Sequence, residues 1–249
     1  MKKLIGFCFV VFCLGLFVSS SFADGLPSHS ELQKALRTVV KEANGGFGFN
    51  MWATIVDRDG IVKVVACSGD NRGDQWPGSR VISAQKANTA NAFSLPSLAL
   101  STANLFSAVQ PGGSLYGLQH SNPVNPTVAY KEPARDYGTA NDPMRGHKIG
   151  GVNVFGGGLA LYDSTGKLVG AIGVSGDSSC ADHNIAWKVR HILKLDYVPS
   201  GVSPTKDDNI VNDIVDGKSR SGWGHPLCSD EAAKIAKELP RSHPIRPKK

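Results

Sequence analysis

Apolar residues recur at helical spacing early in the chain and then give way to β-rich runs. The segment Ser30-Glu-Leu-Gln33 fits a capping box, and the helical spacing after it continues up to Asn44-Gly45-Gly46. Two runs rich in β-branched and aromatic residues follow, Phe49–Val56 and Ile61–Cys67, separated by the tight-turn sequence Asp57-Arg-Asp-Gly60. The pattern therefore predicts one helix followed by a β-hairpin.

A second helical pattern begins at Ser79 and continues to Phe93. One face carries larger side chains and the adjacent face carries a stripe of small ones, which allows close backbone packing. A further helix is predicted over Ser97–Val109. The segment Pro111–Lys148, with five prolines and little periodicity, reads as a long loop. A loop of this length in a compact chain is usually functional, disordered or wrapped over a partner.

Regular structure resumes with three predicted strands, Gly151–Phe155, Leu159–Tyr162 and Leu168–Ser175, of which the last two flank a hairpin turn. Ser178 or Ser179 caps a final helix with an apolar stripe. The predicted order is α-β-β-α-α-loop-β-β-β-α. Two hairpins imply an α/β fold of the α+β type, with a mostly antiparallel five-stranded sheet covered by helices.

The first 23 residues have the character of a secretory signal peptide. Lys2 and Lys3 precede an apolar run from Leu4 to Val18, and Ser-Phe-Ala precedes Asp24. The run is shorter than the roughly 20 residues that span a bilayer, and no later segment is long and apolar enough to be an anchor. We therefore predict a periplasmic or secreted protein with no membrane span after cleavage.

Charge changes this picture little. Removal of residues 1–23 lowers the formal net charge from +6 to +4. Much of the remaining excess lies in the proline-containing stretch Arg241–Lys249, which we expect to be a solvated tail. Nucleic-acid binding would need a basic stripe interleaved with aromatic residues, which the sequence lacks, so we expect no nucleic-acid partner.

Three cysteines follow the predicted signal peptide. In an oxidising compartment, we predict that Cys180, at the head of the last helix, and Cys228 form a disulfide that attaches the C-terminal extension to the core. Cys67 is then an unpaired strand residue or, alternatively, a thiolate ligand. The sequence has no Cys-x-x-Cys and no histidine pair with metalloprotease spacing, so it predicts no dedicated zinc site.

The stretch from Gly170 to Arg190 offers several catalytic interpretations. A dinucleotide loop needs Gly-x-Gly-x-x-Gly at a strand-to-helix turn, but here the glycines are spaced by three, which favours close approach of a helix or another subunit to the sheet. A nucleophile elbow at Ser175 would need its second glycine one position later than Gly176. His183 is expected at the surface or in an interface.

Two segments carry a family resemblance. They are Ser83-Ala-Gln-Lys86-Ala-Asn-Thr89-Ala-Asn-Ala-Phe93 on a predicted helix, and the region from Gly150-Gly151-Val to Val169-Gly-Ala-Ile-Gly-Val-Ser-Gly176 on predicted strands. Together they resemble the GlcG-like, HbpS-like haem-binding family, over roughly Ser30 to Leu195. The glycines then look like a sheet signature of that family.

The resemblance implies a profilin-like α/β domain, which we place at residues 28–195, followed by a C-terminal extension and basic tail at residues 196–249. It also implies a homo-oligomer and the binding of haem or a related tetrapyrrole, with peroxide-linked haem degradation in some members. Activity would be inherited by analogy only. The long loop and the extension exceed what a minimal member needs, so they could cover, reshape or replace the usual site.

Haem binding sets chemical requirements that can be compared with the sequence. The iron needs a donor such as His, Met, Cys or Tyr, and the ring needs an apolar slot with basic groups for its propionates. On the predicted helix, Lys86 and Thr89 are expected to have a structural or rim role. The long loop concentrates the required groups, and its candidates are Tyr116, His120, Tyr130, Tyr137, Met144, Arg145 and His147.

These observations leave three functions open. The first is an exported tetrapyrrole-binding protein that holds, delivers or slowly oxidises haem. The second is a non-enzymatic, oligomeric sensory or assembly partner, which the lack of a convincing catalytic constellation favours. The third is an enzyme acting on a small molecule. Replacement of His120 or His147 by alanine distinguishes the first two, because only haem binding should depend on loop donors.

Overall fold

The computed structural model describes residues 25–247, so the predicted signal peptide lies outside the described residues. Six helices and six strands follow one another in this range: α1 His29–Val39, β1 Trp52–Asp57, β2 Val62–Cys67, α2 Ser79–Phe93, α3 Leu118–Ser121, α4 Pro126–Ala129, β3 Gly158–Tyr162, β4 Leu168–Ser175, α5 Ser179–Ile192, β5 Ile214–Val215, β6 Lys218–Ser219 and α6 Asp230–Ser242. Short 3-10 turns occupy Thr102–Leu105, Ser107–Val109 and Ala134–Asp136. Among residues 25–247, no helix combines the length and the apolar character needed to cross a membrane.

The main sheet has four strands in the order β2-β1-β4-β3, and all neighbours are antiparallel. The mixed α/β class and the antiparallel pairing are confirmed, but the five-stranded count is wrong. The predicted strand Gly151–Phe155 does not form, because Gly151 has φ +79° and the Asn153 N–H donates to Thr89 Oγ1 at 2.9 Å instead of to a strand. Strands β5 and β6 make a separate hairpin in the extension. The profilin-like assignment stays a prediction.

Two helix predictions also need correction. α1 begins two residues earlier than its predicted capping box, because Ser28 is the extended cap residue, and the Glu31 carboxylate accepts from the Ser28 N–H at 2.8 Å. The predicted helix Ser97–Val109 is replaced by two short 3-10 turns. Ser101 caps the first of them, and its hydroxyl donates to Asn104 Oδ1 at 2.8 Å. That local bond competes with a longer helix.

The sheet is covered on both faces. Helix α2 crosses one face, while α1 and α5 cover the other. Close packing of α2 depends on Gly173, where a Cβ atom would lie 1.9 Å from the Ser83 carbonyl oxygen. The prediction that these glycines admit a helix is therefore confirmed at Gly173. Ser175 lies within β4 opposite Trp52 and is buried, so it presents no exposed nucleophile.

The C-terminal extension packs against α5 and forms part of the core. Arg190 and Asp208, both fully buried, form an ion pair at 2.6 Å, and Arg190 also donates to the Ala160 carbonyl at 3.0 Å. The predicted Cys180–Cys228 disulfide is present and joins α5 to the extension. Cys67 is a buried free cysteine.

The predicted surface position of His183 is wrong because the extension covers it. His183 is fully buried, and its Nε2 lies 3.0 Å from the Ile210 nitrogen and 3.1 Å from Asn209 Oδ1. Burial lowers the pKa of this imidazole to about 3, so the ring is neutral at physiological pH.

The predicted solvated tail is also shorter than expected. Helix α6 continues through Pro240 to Ser242, and the described residues after it, 243–247, pack against the fold. Arg246 donates to the His191 carbonyl at 2.8 Å and forms an ion pair with Asp196. The basic end of the described chain is therefore held by the last turn of α5 and by Asp196, which follows that helix.

Candidate functional site

A cavity of about 550 Å³ lies where the start of α2, the turn at residues 71–73 and the long loop meet. Its volume falls within the range of typical ligand sites, roughly 300–1,000 Å³. Aromatic and aliphatic side chains dominate its walls, with arginine at two positions. The lining residues are Trp52, Asn71, Arg72, Gly73, Pro77, Gly78, Arg80, Val81, Tyr130, Ala134 and Tyr137.

The inner wall is fixed by the main sheet. Trp52 is buried at the start of β1, and its indole N–H donates to the Trp76 carbonyl at 3.0 Å. Val81, on the first turns of α2, belongs to the same apolar cluster. These residues supply a rigid apolar surface, because their backbones lie in a central strand and a helix.

The outer wall comes from the long loop, whose position depends on a buried ion pair. Arg80 donates from Nε to Asp142 Oδ2 at 2.9 Å and from Nη2 to Oδ1 at 2.5 Å. The Asp142 carboxylate also accepts from the backbone N–H groups of Gly138 and Met144 at 2.8 and 2.9 Å. A bidentate pair with two further donors is a strong, geometrically specific anchor. It attaches the loop to α2.

Two tyrosines of the loop complete the cavity. The Arg80 guanidinium lies 3.6 Å from the centre of the Tyr137 ring, so a cation–π contact orients this half-buried side chain. Tyr130 is 66% exposed and lies at the mouth of the cavity. Arg72, also exposed, adds a cation on the rim. The site therefore combines apolar walls, two tyrosine side chains and one accessible positive charge.

Of the site residues predicted from the sequence in the long loop, Tyr130 and Tyr137 line this cavity. Tyr116 is 63% exposed and His120 is exposed on α3. His147 is half-buried, and its Nε2 lies 2.7 Å from Lys131 Nζ. These side chains point elsewhere in the described structure, and their roles as haem ligands stay predictions.

Two further predicted residues of the long loop have structural contacts. Met144 is fully buried in the apolar cluster that includes Trp52 and Val62. Arg145 is exposed, donates to the Lys63 carbonyl at 2.9 Å, and lines a separate open cleft of about 810 Å³. Aliphatic and polar side chains share the lining of that cleft, which lacks the tryptophan and tyrosine walls of the cavity beside Arg80.

Lys86 and Thr89 lie inside the fold, in agreement with a structural role. Thr89 donates to the Gln85 carbonyl at 2.8 Å. Lys86 forms a fully buried ion pair with Asp182 at 2.6 Å and donates to the Val174 carbonyl at 3.0 Å. Burial lowers the pKa of Lys86 and raises that of Asp182 to about 6, while the attraction between the two charges opposes both changes.

The sequence interpretation missed Trp52, Arg80 and Asp142. Arg80 and Asp142 are 62 positions apart, and neither belongs to a recognisable short motif. The available signal was an arginine in the first turn of a helix, where a positive charge is unfavourable unless a carboxylate compensates it. The sequence does not say which carboxylate does so.

Comparison with family models identifies one family. The family model described as haem degrading protein HbpS-like matches residues 28–190. No curated protein matches the chain. Three solved structures resemble it, and each similarity covers 67% of this chain. The PduOC–haem complex is 25% identical, is covered over 94% of its own length and gives a TM-score of 0.46. Klebsiella pneumoniae protein ORFY is 25% identical, with 90% of its length covered and a TM-score of 0.45, and HbpS is 18% identical, with 89% of its length covered and a TM-score of 0.41.

Proposed function

Because the chain belongs to the HbpS-like family, we propose that it is an exported haem-binding protein whose ligand occupies the cavity beside Arg80. The observation that carries this placement is the combination of apolar aromatic walls with two tyrosine side chains in one cavity of suitable volume. A haem site requires this combination, since the ring needs an apolar slot and the iron needs a side-chain donor.

Different residues of the cavity would make different contacts with haem. Trp52 and Val81 would exclude water from a bound haem, and the exposed Arg72 would pair with a propionate. Tyr137 would hold the iron in preference to Tyr130, because Arg80 fixes the orientation of the Tyr137 ring, whereas Tyr130 is largely exposed. Bound haem would supply redox-active iron, and tyrosine is an established type of haem ligand.

Two finer parts of the proposal concern location and turnover. Export is supported by the character of residues 1–23 and by the Cys180–Cys228 disulfide, since such bonds persist mainly in oxidising compartments. Haem degradation, which we propose to be slow and peroxide-linked, is supported only in its general form by the description of the family as haem degrading. Both parts can fail without affecting haem binding itself.

A haemin titration of the purified protein, followed at the Soret band, tests the proposal. We expect saturation at one haem per chain, and at least about tenfold weaker binding with an altered Soret band in Tyr137→Phe, which keeps the ring but removes the donor oxygen. Tyr116→Phe, on the same loop but outside the cavity, is the matched control and should bind normally. Uptake that never saturates would refute haem binding.

Further arms of the titration separate the alternatives. If His120→Ala or His147→Ala weakens binding and Tyr137→Phe does not, the ligand lies outside the cavity. Loss of the Soret band after addition of hydrogen peroxide, compared with free haemin, measures degradation. N-terminal sequencing of protein recovered from the periplasm tests cleavage before Asp24.

A second candidate function, assembly with further copies of the chain, is favoured by an exposed aromatic cluster. Phe47 is 70% exposed and stacks on Phe49, which meets the edge of Trp76. The Asp177 carboxylate holds this loop by accepting backbone N–H groups, including that of Phe47 at 2.8 Å. Exposed apolar patches often mark interaction sites. A Phe47→Ser variant should then form smaller species in light scattering than the wild type, and unchanged size would refute this role.

A further inference from the structure

A histidine lies directly beside the disulfide of the C-terminal extension. His225 is 3% exposed, and its Nδ1 lies 4.0 Å from Cys180 Sγ. One ligand atom from each of Cys180, His225 and Cys228 can be chosen so that all three lie within 4.8 Å of one another. We propose that reduction of this disulfide creates a Cys₂His metal site that takes a thiolate-binding divalent cation such as Zn²⁺.

The two sulfur atoms differ in a way that allows reduction by a dithiol. Cys228 is exposed, whereas Cys180 is buried at the second position of α5. A thiolate of the reductant attacks Cys228 Sγ, the S–S bond breaks, and its electron pair passes to Cys180 Sγ. The start of a helix stabilises the thiolate that leaves.

The second thiol of the reductant completes the reaction. It attacks the mixed disulfide and releases Cys228, so the reductant departs as its own disulfide. Two electrons and two protons have then moved from the dithiol to the protein. When the divalent cation binds, the two thiols give up these protons and the sulfur atoms become thiolate ligands.

The surroundings of His225 fit a metal ligand. Its Nε2 lies 2.8 Å from Ser179 Oγ, and its Nδ1 lies 2.8 Å from the Pro226 carbonyl oxygen. With the disulfide intact, Nδ1–H donates to Pro226 and Nε2 accepts from the Ser179 hydroxyl. When the metal binds Nδ1, the ring proton moves to Nε2, which then donates to Ser179 Oγ. Metal-bound histidines usually have such a partner on the other nitrogen.

The donor set selects the class of cation. Two thiolates and one imidazole suit Zn²⁺, which accepts tetrahedral coordination by three protein ligands and a water molecule. The exposed side of Cys228 leaves room for that water. Because the ligands come from α5 and from residues 225–228, the bound metal would hold the extension against α5 after the disulfide is lost. Cys180 lies 45 residues before His225, so no short motif contains all three ligands.

Cobalt(II) is the probe, because cobalt–thiolate bonds give charge-transfer absorption and tetrahedral Co²⁺ gives strong visible bands. The full chain carries Cys8→Ser and Cys13→Ser, so that three thiols remain. It is reduced with a phosphine, which is then removed without oxygen. We expect one Co²⁺ per reduced chain with both types of band, displacement by Zn²⁺, and no such bands in the oxidised protein.

Variants assign the ligands. Cys67→Ala, which removes the remaining thiol, should leave the spectrum unchanged, whereas Cys228→Ser should abolish the thiolate bands of the site. His225→Ala should weaken Co²⁺ binding at least about tenfold, and Ser179→Ala about tenfold. The proposal is overturned if reduced protein shows no thiolate band, if the band depends on Cys67, or if His225→Ala binds as tightly as the parent.

Far-UV circular dichroism keeps the result interpretable. If the reduced, metal-free chain retains its helical signal, the Co²⁺ affinities of the parent protein and of His225→Ala decide whether His225 is a ligand. If it loses that signal, Zn²⁺ must restore it in the parent protein and fail to restore it in His225→Ala. Equal recovery in both would contradict a site that includes His225.

Discussion

The contact between α2 and the sheet at Gly173 gives the sharpest prediction for stability. In Gly173→Ala, the new Cβ would lie 1.9 Å from the Ser83 carbonyl oxygen and 2.5 Å from the Ala87 nitrogen. Non-bonded heavy atoms attract at about 3.5 Å or more, so the helix must move away from β4 by about 1.5 Å. The opposing atoms belong to the backbone and cannot rotate aside.

The expected cost follows from this geometry. Overpacking of a core typically costs about 1–3 kcal/mol, and a clash with backbone on a central strand belongs at or above the upper end. We therefore expect Gly173→Ala to lose at least about 3 kcal/mol of the free energy of unfolding. That is a large part of the roughly 5–15 kcal/mol of a typical domain.

Urea unfolding with the disulfide intact, followed by far-UV circular dichroism, measures this loss. Gly73→Ala is the matched control, since a Cβ there meets nothing within 4 Å and the backbone is not left-handed. It should stay within about 1 kcal/mol of the wild type. If Gly173→Ala loses no more than Gly73→Ala, the packing argument for this glycine is wrong.

Two other features give measurable expectations. Burial raises the pKa of Asp182 to about 6, so the folded protein binds a proton at this carboxylate more tightly than the unfolded chain does. The stabilisation that this proton gives the folded state is complete below about pH 4 and is lost as the pH rises through 6. Asp182→Asn, which removes this titration, should therefore be more destabilising at pH 4 than at pH 7, and equal costs in urea unfolding at the two pH values would contradict this. Replacement of Cys180 and Cys228 by serine should lower the free energy of unfolding by about 4 kcal/mol, because the bond closes a loop with a sequence separation of 48; Cys67→Ala is the control, and an equal loss there would count against the disulfide as the cause.

Much of the fold could be predicted because its strongest patterns are local. The hairpin of β1 and β2, the helices α2 and α5, and the Cys180–Cys228 bond all follow from periodicity, turn residues or cysteine position. The predicted strand at 151–155 failed because the Asn153 N–H donates to a side chain, Thr89, that is distant in sequence. Periodicity cannot anticipate such a competitor.

The site was less predictable because it depends on tertiary contacts. Helical spacing correctly places His183 away from the main apolar stripe of α5, but it does not reveal that the extension covers that second face. In the same way, donors that lie close together in the long loop separate in space: Met144 enters the core, while His120 faces outward. The Tyr137 ring, in contrast, is held by Arg80, which pairs with Asp142 across the fold.

The ion pair between Arg190 and Asp208 connects two parts of the chain that a family description separates. Arg190 is the last residue of the family match, whereas Asp208 lies beyond it. Replacement of Asp208 alone would leave a buried guanidinium without the carboxylate that neutralises it, a loss that typically costs about 3–5 kcal/mol. A chain excised at residue 190 would lose that carboxylate together with the residues that cover this part of α5. The last residue of the family match is therefore not the end of the folding unit.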